Sequence, residues 1–108
     1  MSREIKFRAW NTVTEKMMLW DDIKRFGNLN KLISLNHVHV QQYTGLKDKN
    51  GVEIYEGDII KSFSGNMEVS FYKGCFSVID NGEHFLLSTC PTDQIEVIGN
   101  IHQNPELL

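Results

Sequence analysis

A chain of 108 residues, 41% apolar and 23% charged, has the length of one domain or of two very small units sharing a core, and its balance excludes wholesale disorder. A formal charge of −3 excludes the global basic excess of a nonspecific nucleic-acid binder, while leaving room for a local basic patch. No apolar run approaches the roughly 20 residues of a membrane helix, and the start Met1-Ser2-Arg3-Glu4-Ile5-Lys6 lacks the apolar stretch of a secretory signal, so a cytoplasmic location is expected.

Glu4 to Trp10 alternate. Ile5, Phe7 and Ala9 share one side and Lys6, Arg8 and Trp10 the other, the pattern of a half-buried strand. Asn11 to Glu15 is turn-like and Lys16 to Trp20 returns, which predicts an N-terminal hairpin. Lys6, Arg8 and Trp10 on one face could hold a phosphate backbone and stack a base; the plainer reading is a solvated strand face with a partly covered Trp. Asp21-Asp22 can cap a short helix bearing Ile23 and Phe26, with Gly27 as its stop. Asn28 to Ser34 fits either a helical turn or a loop. Leu35 to Tyr43 alternates again, with Val38 and Val40 opposite His37, His39 and Gln41.

The stretch from Tyr43 to Lys61 carries two turns. Asn50-Gly51 signals a two-residue hairpin of type I′, in which both central residues take positive φ. Glu56-Gly57-Asp58 then bends the chain into Ile59-Ile60. Asp48 to Glu53 faintly resembles a calcium loop, but Leu46 stands where such a loop needs its first carboxylate. Beyond it, Asp58–Phe63, Met67–Lys73, Cys75–Asp80, Glu83–Ser88 and Ile95–Gly99 are short apolar runs separated by Gly, Asn and Pro turns, which predicts a small barrel or sandwich. Met67, Val69 and Phe71 are expected inward, with Ile95 and Val97 on the last strand. Asn104-Pro105 can open a final helical turn whose Leu107 and Leu108 close one end of the core.

Chemistry-bearing motifs are few. There is no phosphate-binding glycine loop, no nucleophile elbow and no HExxH, so no catalytic residue and no cofactor are assigned. His37 and His39 could form half of a metal site, yet no second pair has ligand spacing, and they read better as surface imidazoles. Cys75 and Cys90 read as reduced thiols serving as small core residues, although either with a histidine could in principle make a nucleophile pair. Glu53, Glu56 and Asp58 could act as paired carboxylates or bind a hard cation; the simpler reading has Asp58 bonding turn amides and the glutamates solvated.

Three blocks, Arg3 to Trp10, Tyr43 to Ile60 with its TGLKDKNG and EIYEGDII runs, and Ile95 to Leu108 with VIGNIH and NPELL, together resemble the YopX family, small proteins of bacteriophages and prophages. The resemblance implies a phage or prophage origin, a cytoplasmic location in a bacterial host, and a mostly β fold with an SH3-like antiparallel barrel in the C-terminal part. It transfers no reaction and no site. The expected organisation is an N-terminal hairpin with a short helix or loop over residues 1–42 and a barrel over 43–108, sharing one core or standing as two subdomains. The expected role is a non-catalytic binding or adaptor module for a host or phage protein. The alternative is a nucleic-acid module using Lys6, Arg8, Trp10, Lys47 and Lys49, with Lys61 as a further contact. Exposed strand edges would also permit self-association. Asn50, Gly51, Gly57 and Asp58 are assigned to turns.

Overall fold

The computed structural model describes residues 4–26 and 28–108, and it is mostly β. The expectation for Gly27 as a helix stop, and those for Met1 to Arg3, lie outside the described residues. The chain divides into two compact units, Met1–Tyr43 and Thr44–Leu108.

In the first unit β1 (Phe7–Asn11) pairs antiparallel with β2 (Lys16–Met18) and with β3 (Val38–Lys47), which continues past the boundary. The β1–β2 turn is held by Asn11, whose Oδ1 accepts the amides of Val13 and Thr14 at 2.9 and 3.0 Å. Between β2 and β3 lie α1 (Trp20–Phe26) and α2 (Leu29–Ser34). Asp21 and Asp22 occupy the first turn of α1 and Lys24 and Arg25 the last, the charge order that a helix dipole favours. Asn28 caps α2, its side chain accepting from the Lys31 amide at 3.2 Å. Ala9, Ile23 and Val38 form the buried core, with Trp20, Leu32 and Val40 packed against it.

Two expectations fail here. Trp10 was expected on a solvated face, but Ala9 and Trp10 are 2% and 7% exposed, so both faces of β1 are covered. Gln41, expected beside the exposed histidines, is buried as well, and Arg8 Nε donates to its Oε1 at 2.7 Å. Alternation reports a half-buried strand and cannot report a strand covered twice.

The second unit begins with the end of β3, which pairs with β4 (Glu53–Tyr55). A five-stranded antiparallel sheet follows, made of β5 (Asp58–Ser62), β6 (Gly65–Tyr72), β7 (Cys75–Asp80), β8 (Glu83–Leu86) and β9 (Glu96–Asn100), in the order β8-β7-β6-β5-β9. Short 3₁₀ turns at Leu87–Thr89 and Thr92–Gln94 lead into β9. The sheet is a curled half-barrel, and a four-strand meander with its last strand returning beside the first is compatible with an SH3-like arrangement. Ile54, Ile60, Met67, Val69, Val78, Leu87 and Ile95 form its core. Phe71, expected inward, is 55% exposed and meets Phe76 edge-on, because β6 outruns the core near its Lys73-Gly74 turn. Leu108 is also exposed, so it closes nothing.

Three buried polar side chains fasten this unit. Asp48 Oδ1 accepts the amides of Asn50 and Val52, both at 2.9 Å, and its Oδ2 accepts that of Val97 at 2.8 Å, tying the β3–β4 turn to β9. Burial acts to raise the Asp48 carboxyl, but the amides of Val97, Val52 and Asn50 and the charge of Lys49 outweigh it and hold the group below its ordinary value. Asp58 Oδ2 accepts the Tyr55 amide at 2.8 Å across Gly57, whose φ of +87° suits glycine. Asn100 Oδ1 accepts the backbone amides of His102 and Gln103 and its Nδ2 donates to Gln103 Oε1 at 2.7 Å, while its backbone amide donates to Asn104 Oδ1 at 3.3 Å.

The Asn50-Gly51 turn differs from the type I′ expectation. Only Gly51 has positive φ there, and the Gly51 amide donates to the Asp48 carbonyl at 3.0 Å. The Asp48 carboxylate organises the bend, so Asn50 does not need the left-handed region. The positive-φ pairs that define type I′ occur instead at Lys73-Gly74 and Asn81-Gly82.

Candidate functional site

The β5–β6 turn places Phe63 at its tip, because Ser62 Oγ accepts the Ser64 amide at 3.3 Å and bonds Ser64 Oγ at 3.1 Å, closing the bend beneath it. Phe63 is consequently 92% exposed, an unusual position for a phenylalanine. It stands at the lip of a cleft of about 340 Å³ in the second unit. Met67, Val78 and Ile95, all core residues, reach the floor, and Phe85, Cys90 and Pro91 contribute to the walls. Asp80 is the sole formally charged residue on its walls among the described residues. The size and apolar lining suit one bulky side chain or a small apolar molecule.

Cys90 is the one cysteine lining the cleft, and burial pushes its thiol up. A thiol so shifted is protonated near neutrality and is a poor nucleophile. Cys75, expected in the core, is exposed at the start of β7. A short polar chain crosses the other face of the sheet: Ser70 Oγ and Ser77 Oγ lie 3.0 Å apart, and Ser77 Oγ lies 3.4 Å from His84 Nδ1. Ser77 is 3% exposed, so the only serine beside a histidine in this row is sealed from substrate. The imidazole of His84 stacks on Tyr72 at 3.7 Å between centroids. The row reads as cross-strand fastening.

The residues singled out as nucleic-acid contacts are dispersed in role. In the first unit Lys6 Nζ lies 3.2 Å from Glu4 and 5.2 Å from the Tyr43 ring centre, Arg8 holds Gln41, and Trp10 is buried. In the second unit Lys49 Nζ lies 3.6 Å from Glu96, and Lys47 and Lys61 are exposed. His37 and His39 are exposed, and no group of three or more His, Cys, Asp or Glu residues able to hold a metal occurs among the described residues. Among the described residues no helix is long and apolar enough to cross a membrane. Sequence reasoning missed the cleft. Its one signal was a phenylalanine, Phe63, between two serines and two residues before Gly65, where turn chemistry overrides the pull of an apolar side chain inward.

A search of curated proteins finds no match. Among solved structures the chain is similar to protein EF1440 from Enterococcus faecalis, with 31% identity, a TM-score of 0.70 and 99% of each chain covered. It is also similar to protein yopX from Bacillus subtilis, with 27% identity, a TM-score of 0.63, and 95% of this chain and 97% of that one covered. The profile of the family described as YopX protein matches residues 6–108, nearly the whole length, and the chain therefore belongs to the YopX family.

Proposed function

We propose that the chain is a non-catalytic binding module of phage or prophage origin, working in the cytoplasm of a bacterial host, and that it binds a host or phage protein through the cleft beneath Phe63. The observation that carries this reading is an almost fully exposed phenylalanine beside an apolar cleft whose floor is the core itself. Leaving such surface in water costs free energy that burial against a partner recovers, at about 25 cal/mol per Å². The nucleic-acid alternative draws less support, since its stacking residue Trp10 is buried and Lys6 and Lys49 already face carboxylates.

The test is photo-crosslinking in cells expressing the chain, with benzoylphenylalanine placed at position 63 or, as control, at the exposed position 13 of the first unit. One discrete protein adduct from position 63 and none from position 13 is expected. Equal labelling from both positions, or none from 63, overturns the reading.

A further inference from the structure

The geometry points to the occupant: an extended peptide segment of another protein, lying along β8, with a bulky apolar side chain in the cleft and a lysine or arginine two residues away. This rests on the cleft being a protein-binding site, and it adds the chemistry of what is bound.

Strand β8 ends the sheet, and all four of its residues are exposed. It is four residues long and carries one charge, Glu83, but no proline and no lysine, two residues that commonly guard an edge against pairing. An added strand is therefore a natural mode of recognition, with backbone hydrogen bonds supplying affinity and alternate side chains supplying selectivity. Register decides what those side chains meet. Val78 faces Phe85 across the β7–β8 pair, and Asp80 faces Glu83. Directly opposed residues share a face, so the cleft face of this hairpin presents an apolar pair followed by a carboxylate pair. The step from Phe85 to Glu83 is two residues, about 7 Å along the strand. A partner strand running beside it repeats the same two-residue step on one face.

Charge identifies the second feature. Asp80 and Glu83 make no side-chain hydrogen bond or ion pair among the described residues, although they oppose each other. Like charges in that position disfavour the pairing, and a cation between them removes the penalty. The cleft walls offer neither lysine nor arginine. A partner that brings an apolar side chain and a cation at a two-residue spacing satisfies both at once.

The experiment pans immobilised purified chain against blocked ten-residue peptides with leucine or phenylalanine fixed at one position and the neighbours randomised. Enrichment of Lys or Arg two positions from the fixed residue is expected. The doubly substituted Asp80→Asn/Glu83→Gln chain should keep the apolar preference and lose the basic one, binding the selected peptide roughly three- to tenfold more weakly. Phe63→Ser should abolish retention without altering the circular dichroism spectrum. Three results overturn the inference: no peptide retained, no basic preference at that spacing, or a preference unchanged in the double variant. A wild-type dimer that Phe63→Ser returns to monomer overturns it as well, since a second copy then fills the cleft. If position 63 still crosslinks a protein while the peptide screen is blank, the binding-site reading stands and only the occupant is wrong; if both are blank, both fall.

Discussion

Replacing Asp48 by asparagine separates a turn that organises itself from one tied across the unit. An asparagine oxygen can still accept from the amides of Asn50 and Val52, which sit on exposed residues. Its NH₂ group would then face the Val97 amide, donor against donor, where the carboxylate now accepts at 2.8 Å. Losing one charge-assisted bond and leaving a part-buried amide unpaired should cost about 2 kcal/mol. With a urea slope on the order of 1–1.5 kcal/mol per molar, the unfolding midpoint should fall by about 1.5 M at pH 7. The carboxyl is held below its ordinary value in the fold. Its contribution is therefore fully present above the unfolded value of about 3.9 and is lost as pH falls through the lower folded value. The gap between wild type and Asp48→Asn should accordingly shrink as urea titrations move from pH 7 to about pH 2.5. An equal midpoint at pH 7, or a gap that persists in acid, refutes the reasoning.

Gly57→Val forces a β-branched residue to a φ of +87° within a buried turn, and thermal melting should show a loss of 2 kcal/mol or more, about 8 °C or greater; an unchanged melt removes Gly57 from its role. A Cβ on Gly99 would lie 2.5 Å from Asn104 Oδ1, so Gly99→Ala should destabilise, and it should cost less in an Asn104→Ala background, which a double-mutant cycle detects as non-additivity above about 0.5 kcal/mol. With Ellman's reagent the exposed Cys75 should react quickly and Cys90 much more slowly, in line with its burial and raised thiol; equal rates contradict the placement of both. Phe63→Ser should leave the unfolding free energy within about 0.5 kcal/mol of wild type, because its ring is already in water.

Much of the fold was legible because turns and alternation act locally. Gly74 and Gly82 lie where the sequence places β-turns, and Met67, Val69 and Ile95 are buried as their alternation requires. Errors arose where a distant group decides a local outcome. Asn50-Gly51 looks like a type I′ pair from its own residues, but the Asp48 carboxylate, fixed also by Val97, selects another bend. Trp10 and Gln41 are buried by tertiary packing that no strand period encodes, and Cys75 is exposed because it opens a strand instead of crossing its middle. The cleft was not legible at all. Phe63, Val78, Phe85 and Cys90 come from four segments, and only the closing of the sheet brings them to one wall.

The two type I′ turns also bear on the order of assembly. Strands β6, β7 and β8 follow one another through Lys73-Gly74 and Asn81-Gly82, so each pairing closes a loop of two residues. Joining β9 to β5 instead requires Asp58 to find Asn100 across the whole intervening chain, at a larger entropic cost. The meander should therefore act as the folding nucleus and β9 should dock late. Gly82→Ala would then mainly slow refolding, whereas Val97→Ala would mainly hasten unfolding, so the lifetime of the native state is set at β9 and its rate of formation at the hairpins.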